Sequence, residues 1–300
     1  MDTPKMLTVT VDGTTSSYPY GTPYEVIARE HQKDYKNDIL LVKRDGKLRE
    51  LCRTVRRDCT LTMLTAADKP GYQTYERSLI LLFLKAFYDV VGEENIRRVS
   101  VDHTVSHALY IRTECEPAVD EALLARVQAR MEEMTAAALP IRKSSVDTDD
   151  AMEFFRAHGM PDKAGTLSYR IGSHVNVYEL DGFVDYYYGD MLPNTKYLKA
   201  FALHPWTEEG LYLILPTQAD PSVPGPFTPS EKVSRVMYET SLHAERLGLA
   251  NVGELNGIVS AGKTTELILA QEALMEKQVG DIAHEIASRP GVRLDRKSVV

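Results

Sequence analysis

The front of the chain alternates between apolar and polar positions in short runs that predict a small sheet. Strands are predicted at residues 6–11, 39–43, 47–51 and 60–64. The turn pairs Asp12-Gly13 and Asp45-Gly46 end the first run and join the next two. Between them, Thr22-Pro23-Tyr24-Glu25 matches a capping box and predicts a helix to about His31. This order of elements predicts a β-grasp unit over residues 1–67.

After Pro70-Gly71 the short alternating runs give way to longer apolar and amphipathic segments. Residues 76–91 are apolar on most faces, which predicts a buried helix. Residues 98–112 alternate strictly, which predicts one strand with His103 and His107 on the same face. Further helices are predicted at residues 119–138 and 150–158, and further strands at 175–180, 183–188, 197–203 and 210–215. Helices interleaved with antiparallel strands predict an α+β sandwich over residues 68–215.

The last part of the chain is predicted to be helical. Residues 216–229 contain five prolines and predict a linker. A second capping box, Thr228-Pro229-Ser230-Glu231, then predicts a helix to about Leu249. Two more helices are predicted at residues 252–260 and 265–288. We therefore divide the chain into residues 1–67, 68–215, 216–229 and 230–300.

Charge and cysteine content narrow the class of protein. The net charge of −8 argues against a surface that binds DNA or RNA generally, because such binding relies on Lys and Arg. The one basic cluster, Arg49, Arg53, Arg56 and Arg57, is interpreted as a solvated edge rather than an RNA site. The three cysteines have no disulfide or zinc spacing, which favours reduced thiols and a cytoplasmic protein. The longest apolar run, residues 79–84, is too short to span a membrane.

Two regions of the sequence resemble parts of threonyl-tRNA synthetases. GTPYEVIA, ILLVKRDGKLREL and LTAADKPG, in that order, resemble the TGS domain, a small β-grasp module of these synthetases and some GTPases. The long helix, the LPIRK stretch and DYYYGDMLPNTKYLKAFAL resemble the second additional domain of threonyl- and alanyl-tRNA synthetases. The resemblance implies a TGS-like domain followed by a fold like that of the editing domain.

That editing domain hydrolyses mischarged tRNA with an HxxxH pair and a CxxxH pair. Carried onto this sequence, the first pair falls on Arg77 and Leu81 and the second on Tyr187 and Met191. None of these side chains supplies the ligand or acid–base chemistry of the residue it replaces. The resemblance therefore implies a synthetase-like fold without its hydrolytic residues, and we predict no catalytic residue and no metal ligand.

The order of the parts resembles a third family, the bacterial uridine-kinase-like nucleoside kinases. Their front half is synthetase-like, and the stretch from Leu255 to Leu294 looks like the helices that lead to their kinase domain. This resemblance implies that a P-loop kinase domain follows in a longer protein. Residues 295–300 do not match the strand and phosphate-binding loop expected at this point, so we expect the chain to be truncated or interrupted. ATP and Mg²⁺ are expected only in that missing domain, and no cofactor is expected in this chain.

Three motifs invite a sharper functional interpretation. Residues 257–264 match GxxxxGK[ST], but no buried strand precedes them, so a helix end and a new helix are favoured over a phosphate loop. His103 and His107 could bind one zinc ion on a helix, but on a strand they would lie roughly 13 Å apart. The acidic and aromatic run 185–190 could stack a base or serve only for packing. The candidate groove residues are Arg77, His103, His107, Tyr187 and Asp190.

Two classes of function follow from these observations. The first is a non-catalytic regulatory or ligand-recognition region of a nucleoside kinase, binding a nucleotide, an amino acid or a tRNA end, with the kinase domain in cis. The second is a free-standing tRNA-editing-like hydrolase, for which His103 or His107 would have to activate water. A third option is a TGS-type interaction module that binds a protein or ribosomal RNA.

Overall fold

The computed structural model describes residues 5–207, 210–289 and 291. The front part is a five-stranded sheet of order β2-β1-β5-β3-β4, with β1 and β5 parallel and the other pairs antiparallel. Its elements are β1 (Met6–Val11), β2 (Thr14–Pro19), α1 (Tyr24–His31), β3 (Ile39–Arg44), β4 (Lys47–Glu50) and β5 (Cys59–Thr65). Helix α1 buries Tyr24, Ile27 and Ala28 in the core of this unit. The predicted strands are confirmed, and β2 is added to them.

The first predicted capping box does not form. Helix α1 follows an extended Pro23, and the Thr22 hydroxyl donates to the carbonyl oxygen of Pro19 at 2.8 Å instead of accepting an amide of α1. Glu25 does not reach back either, because its carboxylate accepts hydrogen bonds from Lys196 and Tyr197 in the following part of the chain. The motif therefore predicted the start of the helix correctly, but the side-chain hydrogen bonds of a capping box do not form.

A long buried helix, α2 (Lys69–Val91), follows the front unit and runs through the main core. It begins seven residues before the predicted start at Glu76. Gly71 permits this, because a Cβ at that position would lie 2.0 Å from the carbonyl oxygen of Thr65 at the end of β5. The helix can therefore start directly against the sheet that precedes it.

The predicted single strand over residues 98–112 is wrong: it is a hairpin of β6 (Ile96–Val105) and β7 (Ala108–Cys115). The turn lies at Ser106, with φ of 53°, and His107. A bulge between Val101 and His103 then places these two residues on opposite faces of the sheet. Val101 pairs with Ile111, and His103 pairs with Tyr110, the next residue of β7. A two-residue turn and a bulge each preserve the apparent alternation, which is why the pattern concealed both.

The rest of the middle part completes two sheets. The hairpin belongs to a four-stranded sheet of order β11-β12-β7-β6, and a three-stranded sheet has the order β10-β9-β8. The remaining elements are α3 (Glu121–Ala136), β8 (Ile141–Asp147), α4 (Thr148–Ala157), α5 (Pro161–Leu167), β9 (His174–Leu180), β10 (Phe183–Tyr186), β11 (Ala202–Thr207) and β12 (Gly210–Ile214). β8 and α5 were not predicted, and the strand placed at residues 197–203 begins only at Ala202. The fold is α+β, as predicted.

Three helices follow the proline-rich segment: α6 (Glu231–Arg246), α7 (Val252–Ser260) and α8 (Thr264–Ser288). Ser230 caps α6 by accepting the amide of Val233, so the cap lies two residues beyond the predicted Thr228. The GxxxxGK[ST] stretch covers the end of α7 and a turn at Gly262, with α7 in front of it rather than a strand. Among the described residues, no helix combines the length and apolar character needed to cross a membrane.

Candidate ligand-binding site

The four positions to which the editing pairs correspond lie on α2 and in the loop after β10. The Ser78 hydroxyl lies 3.8 Å from Sδ of Met191 and accepts the amide of Leu192 at 2.9 Å. Arg77 donates from two guanidinium nitrogens to the carbonyl oxygen of Asp190, at 3.1 and 3.0 Å. Leu81 and Met191 are both fully buried. Hydrogen bonds therefore join α2 to the loop after β10 at Arg77 and Ser78, while Leu81 and Met191 are parts of the core.

Gly189 allows Arg77 to lie flat against this loop. Its φ is +140°, and a Cβ there would lie 2.7 Å from Cζ of Arg77. Any larger residue would push the guanidinium away from the carbonyl oxygen of Asp190. The loop sequence and the Arg77 substitution are thus matched to each other, which indicates a built structural contact in place of a reactive site.

A carboxylate from the front unit completes this region. Glu50, at the end of β4, is only 2% exposed. It accepts hydrogen bonds from the Tyr178 hydroxyl at 2.7 Å, Lys143 Nζ at 3.0 Å and the Met191 amide at 3.2 Å. We call Glu50, Arg77, Lys143, Tyr178 and Asp190 the junction cluster. The front unit is thereby fixed directly beneath the loop that carries two of the four editing positions.

Burial is the main cause of the pKa shifts in the junction cluster. It raises the pKa of Asp190, with the charge of Glu50 adding to the effect and Lys143 and Arg77 opposing it. It also raises the pKa of Tyr178, whose hydroxyl donates to Glu50. Burial lowers the pKa of Arg77, although Asp190 opposes this. The cluster is a network of charges and hydrogen bonds, and the Cys52 thiol beside it donates to Oε2 of Glu50 at 3.9 Å, with burial raising the pKa of that thiol.

A cleft of about 1340 Å³ lies beside the junction cluster. Its walls come from α2, the outer part of β6 and β7, α5, the end of β10, and the helices α6 and α7. Tyr186, Tyr187 and Tyr188 line it, and Tyr188 is 63% exposed. The Tyr187 ring also lies 6.2 Å from the ring of Tyr178. Tyr187 therefore belongs both to the wall of the cleft and to the edge of the junction cluster.

The Tyr187 hydroxyl has an unusual environment. It is buried, and no described residue stands in good hydrogen-bonding geometry to it. Burial raises its pKa well above the usual value, and the charge of Asp185 and the closeness of that carboxylate as a hydrogen-bond acceptor add to this. Asp185 itself is held by Lys163 at 2.7 Å. Tyr187 is thus a neutral phenol, unable to replace the thiolate that the resemblance places at this position.

The other candidate residues lie elsewhere. The His103 ring stacks 4.9 Å from Tyr110 on the outer face of the four-stranded sheet, and burial lowers its pKa. His107 lies in the β6–β7 turn, where its Cβ faces Gly225 of the proline-rich segment. The structure thus joins Arg77 to Asp190 by hydrogen bonds, but of the five candidate groove residues only Tyr187 lines the cleft. Within residues 5–207, 210–289 and 291, no three His, Cys, Asp or Glu side chains converge in a way that could hold a metal ion.

Sequence reasoning missed Glu50, Lys143 and Tyr178. Glu50 lies in a strand that reads as part of a separate unit, and nothing in its local pattern indicates that its side chain is buried by another part of the chain. Lys143 and Tyr178 face each other across β8 and β9, which are paired in the structure, but β8 was not predicted. A prediction of β8 would have placed Lys143 and Tyr178 side by side.

Comparison with known proteins finds threonine–tRNA ligases among the relatives of this chain. The chain is 28% identical over 200 residues to the threonine–tRNA ligase of Thermotoga neapolitana, covering 66% of this chain and 30% of the ligase. It is 26% identical over 193 residues to that of Thermotoga maritima, covering 64% and 29%. It is 23% identical over 192 residues to that of Francisella tularensis subsp. novicida, covering 64% and 30%.

The similarity covers only part of each relative. No family model matches the chain. The chain spans about 30% of the length of these relatives. The similarity agrees with a synthetase-like module and gives no support to the expected nucleoside-kinase family. The chain is thus similar to part of threonine–tRNA ligases over about two thirds of its length.

Proposed function

We propose that this chain is a tRNA-synthetase-like binding module that holds the 3′ end of a tRNA, free or aminoacylated, without hydrolysing it. The observation that carries this proposal is the position of Tyr187. It lines an open cleft and also stands where the hydrolytic cysteine would be, beside the packed junction cluster. The region keeps a cleft for a ligand while its reactive groups are replaced.

The cleft has the chemistry that a nucleotide end requires. Aromatic side chains stack unpaired bases, and cations neutralise the phosphates. Tyr188 is exposed in the cleft, and the Arg170 guanidinium lies 5.4 Å from the centre of its ring. The relatives are named for threonine and tRNA, and both components meet at an aminoacylated 3′ end. A free nucleotide or amino acid would be a smaller version of the same ligand.

An editing-like hydrolase is the weaker alternative. It would need a group that activates water near the cleft, and the candidates were His103 and His107. His103 packs against Tyr110, and His107 lies in the hairpin turn. The Arg77 guanidinium donates twice to the carbonyl oxygen of Asp190 and once to the Thr74 hydroxyl, and a guanidinium stays protonated and cannot serve as a base. We therefore favour binding over hydrolysis.

Three expectations stay predictions. The first is the regulatory role in front of a nucleoside-kinase domain, which alone would use ATP and Mg²⁺. The second is the division of the chain at residues 67, 215 and 229. The third is a cytoplasmic location, which reduced cysteines and a tRNA ligand would both require.

The proposal is tested by binding and deacylation measured on the same protein. The probe is an acceptor-stem RNA minihelix that ends in a single-stranded 3′ end, used uncharged and charged with threonine or serine. We expect binding in fluorescence anisotropy and no acceleration of deacylation. Tyr188→Ala should weaken binding about tenfold, since stacking of one base contributes roughly 1–3 kcal/mol.

Tyr20→Ala is the matched control, because Tyr20 is similarly exposed (53%) but lies on the front sheet, away from the cleft. It should leave the affinity unchanged. Deacylation by the wild type above the uncatalysed rate would overturn the non-hydrolytic proposal. Equal affinities of the Tyr188→Ala and Tyr20→Ala variants would show that the RNA binds outside the cleft.

A further inference from the structure

Two arginines stand side by side in the wall of the cleft. Arg98 on β6 pairs with Glu114 of β7, and Ser100 pairs with Arg112. Arg98 and Arg112 are therefore diagonal neighbours on the outer face of the hairpin, within reach of one group. Both line the cleft that we assign to the ligand. Such a pair of guanidinium groups is the side-chain chemistry best suited to a phosphate or a carboxylate.

One carboxylate from the C-terminal helices occupies this pair. Oε1 of Glu245, on α6, accepts from Arg98 NH1 at 2.9 Å and from Arg112 NH1 at 2.6 Å. Arg112 is only 8% exposed, and its Nε makes no hydrogen bond to any described residue. A single carboxylate oxygen thus serves two cations and leaves one buried donor unsatisfied, which is incomplete use of the pair.

The helix that delivers Glu245 is lightly attached. Ser234 is the one residue of α6 that is fully buried among those described, and its hydroxyl bonds to that of Tyr212. Val233 and Val236 remain about half exposed. The proline-rich segment 216–229 precedes the helix. Displacing the end of α6 that carries Glu245 would break the two ion pairs and the contact between Tyr238 and the Arg112 guanidinium, which lies 5.8 Å from the centre of its ring, and would uncover half-buried Leu242.

We propose that Arg98 and Arg112 form an anion subsite for a phosphate group of the ligand, and that Glu245 closes this subsite until the phosphate displaces it. This inference rests on the proposed function, because the subsite belongs to the same cleft. A phosphate presents several acceptor oxygens and can satisfy both guanidinium groups and the free Nε of Arg112. Glu245 acts as an internal competitor that is released when the phosphate binds.

The phosphate could come from an RNA backbone or from a free nucleotide, so two probes are used. One is the minihelix described above, and the other is inorganic tripolyphosphate. Glu245→Gln keeps the shape of the side chain but removes the charge that holds both arginines. We expect this variant to bind either probe about tenfold more tightly than the wild type. Arg98→Gln in the Glu245→Gln background should reverse the gain and reduce the salt dependence of minihelix binding.

Glu239→Gln is the matched control, since it removes the same charge from an exposed position of the same helix. It should change affinity less than twofold. A general effect of net charge on an acidic protein would raise the affinity of both variants equally, and this result would overturn the proposal. Tighter binding confined to Glu245→Gln supports it.

Hydrogen exchange separates a displaceable Glu245 from a permanent structural clamp. If the phosphate replaces Glu245, a saturating probe should speed deuterium uptake in residues 231–246 of the wild type. Slower or unchanged uptake in α6 would overturn the displacement. Tripolyphosphate binding without minihelix binding would retain the subsite and refute the tRNA function. Equal minihelix binding by the wild type and Glu245→Gln would refute the phosphate subsite and leave the tRNA-binding function standing. If Glu245→Gln bound neither probe, both the subsite and the tRNA-binding function would be refuted.

Discussion

Glu50 and Glu245 both accept hydrogen bonds from cationic side chains of a distant part of the chain, but they differ in burial. Each carries a negative charge from one part of the chain to donors on another. Glu50 is 2% exposed and accepts from Tyr178, Lys143 and the amide of Met191. The Glu245 side chain is 27% exposed and accepts from Arg98 and Arg112. The first contact is surrounded by core residues, and the second lies at the rim of a cleft.

The difference teaches that burial, rather than the number of partners, decides what such a contact can do. A buried carboxylate cannot leave without stranding its donors away from water, so it fixes two units together. A partly exposed carboxylate can exchange its partners for water or for another anion at small cost. We therefore interpret Glu50 as a permanent lock and Glu245 as a reversible closure.

The largest expected effect is the loss of the Glu50 lock. Glu50→Ala leaves Lys143 Nζ and the Met191 amide without their acceptor, while the Tyr178 hydroxyl can still donate to the carbonyl oxygen of Gly189. Removing one partner of a buried ion pair typically costs about 3–5 kcal/mol, and we expect a loss of that size in the free energy of unfolding. Urea denaturation measures it. Glu245→Ala should cost about 1 kcal/mol or less in the same assay.

Similar losses for the two alanine variants would contradict the comparison. Glu50→Gln adds a useful control, because it keeps the side-chain shape and can still accept a hydrogen bond. It should lose less stability than Glu50→Ala. If Glu50→Gln and Glu50→Ala were equally stable, the charge and hydrogen bonds of Glu50 would not be what holds the front unit in place.

A smaller effect, of opposite sign in two variants, is expected from a pair of neighbouring tyrosines. The Tyr178 hydroxyl donates to Glu50 at 2.7 Å and lies 2.9 Å from the carbonyl oxygen of Gly189. The Tyr187 hydroxyl is buried with no hydrogen-bond partner in the part of the chain that the structure describes. Tyr178→Phe should therefore lower stability by about 1–2 kcal/mol, while Tyr187→Phe should be neutral or stabilise by up to about 1 kcal/mol.

Urea denaturation of the two phenylalanine variants side by side provides the test, since each removes one oxygen from a similar position. A loss of stability in Tyr187→Phe as large as that in Tyr178→Phe would mean that the Tyr187 hydroxyl has a partner after all, such as Asp185. The interpretation of Tyr187 as an inert replacement at the edge of the cleft would then be wrong.

Much of the fold could be predicted from the sequence, because its signals are local. The turn pair Asp45-Gly46 has positive φ at both residues, as a tight hairpin requires, and it joins β3 to β4 as predicted. The apolar run in α2 indicated a buried helix. The β6–β7 hairpin escaped because its turn, at Ser106 and His107, contains no glycine or proline. The bulge after Val101 also left no mark in the pattern of apolar residues.

The candidate site could be predicted only in part, for a different physical reason. Arg77 and Tyr187 were singled out through the resemblance and Asp190 through the acidic and aromatic run, and the structure joins Arg77 to Asp190 and places Tyr187 in the wall of the cleft. Glu50 and Glu245 come from distant parts of the chain, and each makes its contacts across more than 90 residues of sequence. Contacts of this kind depend on how sheets and helices pack, which no local period encodes.

The smallest expected effect, and the sharpest test of reversibility, is release of α6 by acid. Burial acts to raise the pKa of Glu245, but the hydrogen bonds and charges of Arg98 and Arg112 outweigh it, so the pKa lies below the usual value. A carboxylate with a lowered pKa stabilises the docked state above its unfolded pKa of about 4.3. This contribution, about 1 kcal/mol or less, is lost as the pH falls through the lower pKa of the docked state.

The single tryptophan reports this release. The Trp206 ring lies 5.7 Å from that of Tyr212, whose hydroxyl bonds to Ser234 on α6. We expect its emission to shift below about pH 4.3 in the wild type and to shift less in Glu245→Gln. Burial acts to raise the pKa of Glu25, but Lys196 and its neighbours outweigh it, so this pKa is also lowered. The contact between Glu25 and Lys196 therefore weakens in the same acidic pH range. The informative quantity is therefore the difference between the two proteins. Identical titrations would show that Glu245 does not hold α6 in place, and the reversible closure of the cleft would lose its physical basis.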